Sequence, residues 1–103
     1  MPYRSAALLF AASLFAFLGR PVADEVAEGA QLFVKLGCGW CHEDGGRQAG
    51  KGPQLMDTKR TDDYMMNRIA TGRTGKMPAF GNSLDGGQLD ALLAYIRSLK
   101  PSA

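Results

Sequence analysis

Cys38-Gly39-Trp40-Cys41-His42 gathers the reactive side chains of this chain into five consecutive residues. Cys38 and Cys41 are its two cysteines, and His42 is its one histidine. Cys-x-x-Cys-His is the sequence signal for covalent attachment of a c-type haem. Two thiols three positions apart can bond the two vinyl groups along one edge of a porphyrin. The imidazole on the next residue then sits under the ring and ligates the iron. The motif predicts one haem c, covalent through Cys38 and Cys41, with His42 as an iron ligand.

Three other chemistries compete for these residues. A thioredoxin-like dithiol needs a preceding strand and a βαβ context, but the flanks here read as helix and glycine-rich loop. A zinc site wants four ligands, and no second ligand pair exists in the sequence. A structural disulfide is geometrically awkward across so short a loop and leaves His42 without a role.

The elements that must position the motif follow from the rest of the chain. Met1 to Ala23 reads as an export signal, with Arg4 as its positive start. Ala6 to Leu18 is an unbroken run of Ala, Leu, Phe and Ser, 13 residues long. That length suits a signal core and falls short of the roughly 20 residues of a membrane span. Gly19, Arg20 and Pro21 break it, and a cut after Ala23 is expected. The alternative is an uncleaved anchor that keeps the domain at a membrane. Export to the periplasm suits the motif, because bacteria attach c-type haem outside the cytoplasm.

Residues 24–103 then form one domain of about 80 residues, which struggles to build a sufficient apolar core alone. A buried haem supplies the missing apolar surface. Arg4 and Arg20 leave with the signal, so the whole-chain excess of +2 vanishes and the domain is formally neutral. With no basic stripe interleaved with aromatics, nucleic-acid binding is not expected.

Residues 24–37 predict a first helix. Asp24, Glu25 and Glu28 crowd its start, where the macrodipole favours negative charge. Gly29, Leu32, Phe33 and Leu36 share one face, and Gly37 is a natural stop. Gly29 inside a helix costs about 1 kcal/mol against Ala, which suggests that another helix crosses there. Gly45 to Gly52 reads as loop and fails as a phosphate cradle, since no Gly-Lys-Ser/Thr follows it. A backbone carbonyl in this loop should fix the other ring nitrogen of His42, setting its tautomer. Thr61 can cap a helix over 62–71, with Met65, Met66, Ile69 and Ala70 as its apolar stripe. Asp85 and Gln88 make a capping box for a last helix over 86–99. Leu89, Leu92, Leu93, Ile96 and Leu99 give that helix a long apolar face. No stretch reads as a strand.

A sixth iron ligand has few candidates. With no second histidine, bis-histidine ligation within the chain is excluded. Met1 leaves with the signal, and Met65 and Met66 lie at helical spacing, where methionine is usually core. Met56 follows too closely on the loop that holds His42. Met77 sits in a Gly- and Pro-punctuated segment that Pro78 keeps out of helix, so it can reach the iron from the opposite face.

Taken together, the chain resembles the class I, single-haem c-type cytochromes, of the small bacterial periplasmic type. The likeness rests on Gly29 with Phe33, Cys38-x-x-Cys41-His42, Gly52-Pro53 with Leu55, Ile69-x-x-Gly72, Met77-Pro78-x-Phe80, and Leu92 with Tyr95-Ile96. These run in the family's order and cover essentially all of residues 24–103. The resemblance implies an all-α fold of three to four helices around one covalent haem. Its first and last helices should cross where Gly29 and Phe33 meet Tyr95. It also implies iron held by His42 and Met77, with electron transfer as the function. The neutral charge departs from the strongly basic mitochondrial relatives, so their partner is not carried over.

Two function classes remain. A one-electron carrier has both axial sites filled, so that no substrate reaches the iron, and Met ligation raises its potential. A haem enzyme or small-ligand sensor needs an open or labile distal site with polar distal groups, and the chain offers no distal histidine. A monomeric carrier, not an enzyme, is expected. Its partners should be redox proteins: a dehydrogenase donor and an oxidase or other cytochrome as acceptor. Similar small cytochromes accept electrons from periplasmic quinoprotein alcohol dehydrogenases or feed terminal oxidases. The Gly39-Trp40-Cys41-His42-Glu43 neighbourhood resembles the former group.

Overall fold

The computed structural model describes residues 19–102. Most of the expected signal segment lies outside the described residues. Three α-helices carry the fold: α1, Val22–Lys35; α2, Asp62–Thr71; and α3, Gly86–Ser98. Among the described residues no helix is long and apolar enough to cross a membrane.

Helix α1 starts two residues before the expected boundary. Pro21, extended at φ −60° and ψ 148°, sits at its N-cap and accepts from the amides of Asp24 and Glu25. The expected cut after Ala23 therefore falls within its first turn. The helix ends at Lys35, and Gly37 at φ +77° turns the chain out of it. The left-handed region accepts glycine without the Cβ penalty, which makes Gly37 an efficient stop.

The crossing expected at Gly29 is present. Leu32 and Phe33 of α1 are buried with Ala91, Leu92, Leu93 and Ile96 of α3 in one core. A Cβ on Gly29 would lie 2.7 Å from the Cβ of Tyr95 and closer still to the Ala91 carbonyl oxygen. The two backbones meet there, which explains a glycine that helix propensity disfavours. The Phe33 and Tyr95 rings lie 5.1 Å apart and tilted, an arrangement that favours aromatic pairs.

Both other helices start as the sequence predicts. The Thr61 hydroxyl accepts from the Tyr64 amide at 3.1 Å. The capping box of α3 is complete, with the Gln88 amide donating to Asp85 at 2.8 Å and the Asp85 amide donating to the Gln88 side chain at 2.9 Å. Helix α3 stops at Ser98, one residue early, and Leu99 remains buried as its C-cap. Arg97 links α3 to the start of α2. It pairs with Asp62 at 2.8 Å and also donates to the Thr58 and Arg60 carbonyls.

The expectation of no strand is corrected. Two-residue strands β1, His42–Glu43, and β2, Gln48–Ala49, pair antiparallel with His42 opposite Ala49. A strand this short has no alternating pattern to read. Its pairing is imposed by the turn between, where Asp44, Gly45 and Gly46 all adopt positive φ. The Tyr95 hydroxyl donates to the Gly45 carbonyl at 2.8 Å and ties this hairpin to α3.

Candidate functional site

The Cys-x-x-Cys-His motif leaves α1 as a single 3-10 turn, Cys38–Trp40, and enters β1 at His42. Cys38, Cys41 and His42 line one cavity of about 490 Å³, and Met77 lines the same cavity. Its other walls are mainly apolar, drawn from α1 (Phe33, Leu36), α2 (Met65, Ile69) and α3 (Leu92, Ile96). Every residue singled out from the sequence as a ligand or attachment point is thus brought together.

His42 is only 8% exposed, so its ring needs a polar partner inside the protein. Its Nδ1 lies 2.7 Å from the Pro53 carbonyl oxygen. A carbonyl can only accept, so Nδ1–H donates; in the neutral ring this leaves the lone pair on Nε2. The carbonyl that fixes the ring is that of Pro53, one residue past the glycine-rich stretch 45–52 in which it was expected. Backbone bonds hold this loop in place, from Gly52 N–H to the Cys41 carbonyl at 2.9 Å and from Gly50 N–H to the Gly52 carbonyl at 2.8 Å. A Cβ on Gly52 would come within 2.6 Å of His42 Cε1. Only glycine lets the loop pass so close to the imidazole.

Met77 is carried by a loop closed onto α2. Arg73 and Met77 exchange both backbone hydrogen bonds at 2.8 Å. Phe80 N–H donates to the Ile69 carbonyl at 2.9 Å and Gly81 N–H to the Ala70 carbonyl at 3.0 Å. The C-terminal carbonyls of α2, which have no helical partners, thus anchor the segment. Met65 also lines the cavity, although helical spacing assigns it to the core; it is buried and does both. Met56 is half-buried and is not part of the lining.

The competing chemistries fit less well. Burial pushes the Cys38 thiol up from its ordinary value, whereas the attacking cysteine of a redox dithiol is a stabilised thiolate. Among the described residues, no group of three or more His, Cys, Asp or Glu could hold a metal ion. Two thiols, an imidazole of fixed tautomer and a thioether bordering an apolar cavity do fit a covalently attached porphyrin.

Sequence reasoning missed the charge of the cavity wall. Lys51, Arg60, Arg68, Arg73 and Lys76 all line it, and no Asp or Glu does. The net charge near zero hid this, because the acidic residues lie elsewhere, with Glu25, Glu28, Asp85 and Asp90 grouped around a separate surface depression. Arg60 lies 4.5 Å and Arg68 5.3 Å from the centre of the Tyr64 ring. The bond from Arg68 to the Tyr64 hydroxyl lowers that phenol's pKa from its ordinary value. Trp40, within the motif itself, is 86% exposed at the cavity.

Residues 24–96 match the family described as cytochrome C oxidase, cbb3-type, subunit III. The cbb3-type cytochrome c oxidase subunit FixP of Bradyrhizobium diazoefficiens is 33% identical over 81 residues, covering 73% of this chain and 28% of that protein. The chain therefore spans less than a third of the length of this curated relative. No solved structure matches it significantly.

Proposed function

The chain belongs to the family of cbb3-type cytochrome c oxidase subunit III, and from that premise we propose that residues 24–103 are an exported, single-haem electron-transfer domain. The observation that carries this reading is the single cavity bordered by Cys38, Cys41, His42 and Met77. When bound, the haem supplies a one-electron Fe(III)/Fe(II) couple. Cys38 and Cys41 would hold it covalently. His42 would ligate through Nε2, its ring oriented by the bond from Nδ1 to Pro53. The Met77 thioether would supply a second iron ligand, which raises the potential and would leave no position on the iron for a substrate. This domain carries electrons and performs no catalysis of its own.

The partners are redox proteins of a respiratory chain. The FixP relative is by name an oxidase subunit, which favours the oxidase side over a quinoprotein dehydrogenase. A cavity lined by five cations and no acid, with an exposed indole at Trp40, suits a partner surface with an apolar centre and an acidic rim.

Attachment is tested by acid–acetone extraction of the purified, exported protein. The red colour should stay on the polypeptide, and a redox titration should show one haem with a relatively high midpoint potential. Complete extraction of the colour would defeat the covalent reading. Ready CO binding at neutral pH would move the sensor or enzyme alternative ahead.

The N-terminus gives a separate test. Mature protein from the periplasm should begin near Asp24. Helix α1 would lose Val22 and Ala23 from its first turn and the pairing of Arg20 with Glu28. That loss is tolerable because Val22 is 69% exposed. A membrane fraction whose protein starts at Met1 would mean an anchor instead.

A further inference from the structure

Gly72 is the pivot between α2 and the loop that carries Met77. Its φ of +67° and ψ of −165° fall in a region that essentially only glycine enters and that persists only where neighbours over-determine it. A Cβ there would meet the Pro78 carbonyl carbon at 2.7 Å and the Ala79 nitrogen at 2.8 Å. The backbone beyond Met77 thus folds directly over the pivot. Both polar groups of Gly72 end on one residue. Its N–H donates to the Arg68 carbonyl at 2.8 Å, and its carbonyl accepts from Arg68 Nη1 at 3.0 Å. The other arm of the guanidinium donates to the Tyr64 hydroxyl at 3.3 Å. Tyr64 sits one turn back on the same helix, so the guanidinium is held at both ends.

We propose that Arg68 is a positioning residue that clasps the Gly72 pivot and so keeps the Met77 loop closed over the cavity; this rests on the reading of Met77 as an axial ligand. The planar fork reaches the two acceptors from separate, rigidly spaced nitrogens, a geometry that the single ammonium of a lysine matches only in part. Without the clasp, the pivot keeps its backbone bond but loses the restraint on its carbonyl. The loop then opens more often, and the thioether leaves the iron for a larger fraction of the time.

An external ligand reads that fraction. Imidazole can occupy the ferric iron only when Met77 is off, so its apparent affinity scales with the open population. In the haem-loaded protein, R68Q should bind imidazole about tenfold more tightly than wild type, an order of magnitude in the opening equilibrium. R68K should fall between the two. Y64F, a mild change that keeps the ring, should shift affinity in the same direction by less. R60Q removes an equal charge from the same Tyr64 ring but has no bond to Gly72, so its shift should fall well short of that of R68Q. Wild-type imidazole affinity in R68Q, or an equal shift in R60Q, would overturn the clasp. If R68Q does not accumulate as haem-loaded protein, R68K and Y64F decide: affinity unmoved in both overturns it. A wild-type protein lacking the far-red Met-to-ferric band would overturn Met77 ligation and the clasp with it. A normal band with unmoved R68Q affinity overturns the clasp alone.

Discussion

Met77→Ala should leave the haem attached and open the iron. Cys38, Cys41 and His42 are untouched by the change. The loop should also keep its shape, because none of its ties uses the Met77 side chain: the Arg73–Met77 backbone pair, the backbone bonds from Phe80 and Gly81 to the end of α2, and the Arg68 bond to Gly72. What disappears is the thioether alone. Three effects should then appear together: loss of the weak far-red ferric band, a lower midpoint potential, and new binding of CO. Since thioether ligation raises the potential of a His-ligated haem, its loss should favour the oxidised state by at least about tenfold, or 59 mV for one electron. Met65→Ala is the sharp comparison, because Met65 lines the same cavity. Met65 is buried on α2, so its truncation should cost about 2–5 kcal/mol of stability while leaving the far-red band in place. If Met65→Ala abolishes the band and Met77→Ala keeps it, the assignment is wrong.

Gly29→Leu should be among the most destabilising single changes in the domain. The clash begins at the Cβ, 2.7 Å from the Tyr95 Cβ and nearer to the Ala91 carbonyl oxygen. A backbone carbonyl within α3 cannot rotate away without breaking the helix, so α1 must lift. Lifting separates Phe33 from Tyr95 and loosens the Tyr95 bond that holds the hairpin at Gly45. Overpacking costs about 1–3 kcal/mol, and a rigid neighbour puts this site at the upper end. For a domain of this size, 1 kcal/mol corresponds to about 4–8 °C in Tm, so a fall of about 12–24 °C is expected. Gly29→Ala separates this account from simple propensity. At an open helix position that change stabilises by about 1 kcal/mol; here it should destabilise. A Gly29→Ala protein with an unchanged or raised Tm would show that the helices do not meet tightly at this point.

Much of this architecture is legible in the chain because its signals are local. The capping box of Asp85 and Gln88, the Thr61 cap and the stop at Gly37 each depend on residues a turn apart. They form wherever the neighbouring sequence permits. The apolar stripes of α1 and α3 are visible for the same reason, and Gly29 is visible as a defect in one of them. The Cys-x-x-Cys-His spacing is local too, so its chemistry can be argued before any fold is known. The short strands escaped notice because a two-residue pair carries no periodicity, only a turn that tertiary packing against Tyr95 holds in shape.

Other features belong to the tertiary structure alone. That Pro53 supplies the carbonyl for His42, and that Gly52 must lack a side chain beside the ring, depends on where the chain returns eleven positions later. The double role of Met65 follows from α2 having one face that borders both core and cavity. The gathering of Lys51, Arg60, Arg68, Arg73 and Lys76 on one wall is invisible to net charge, which sums over residues wherever they lie. The fork of Arg68 around Gly72 depends on one residue's backbone and side chain reaching the same pivot. Spacing along a chain determines which groups can share a turn of helix. Only the fold decides which of them face one cavity, because that depends on contacts between residues far apart in sequence.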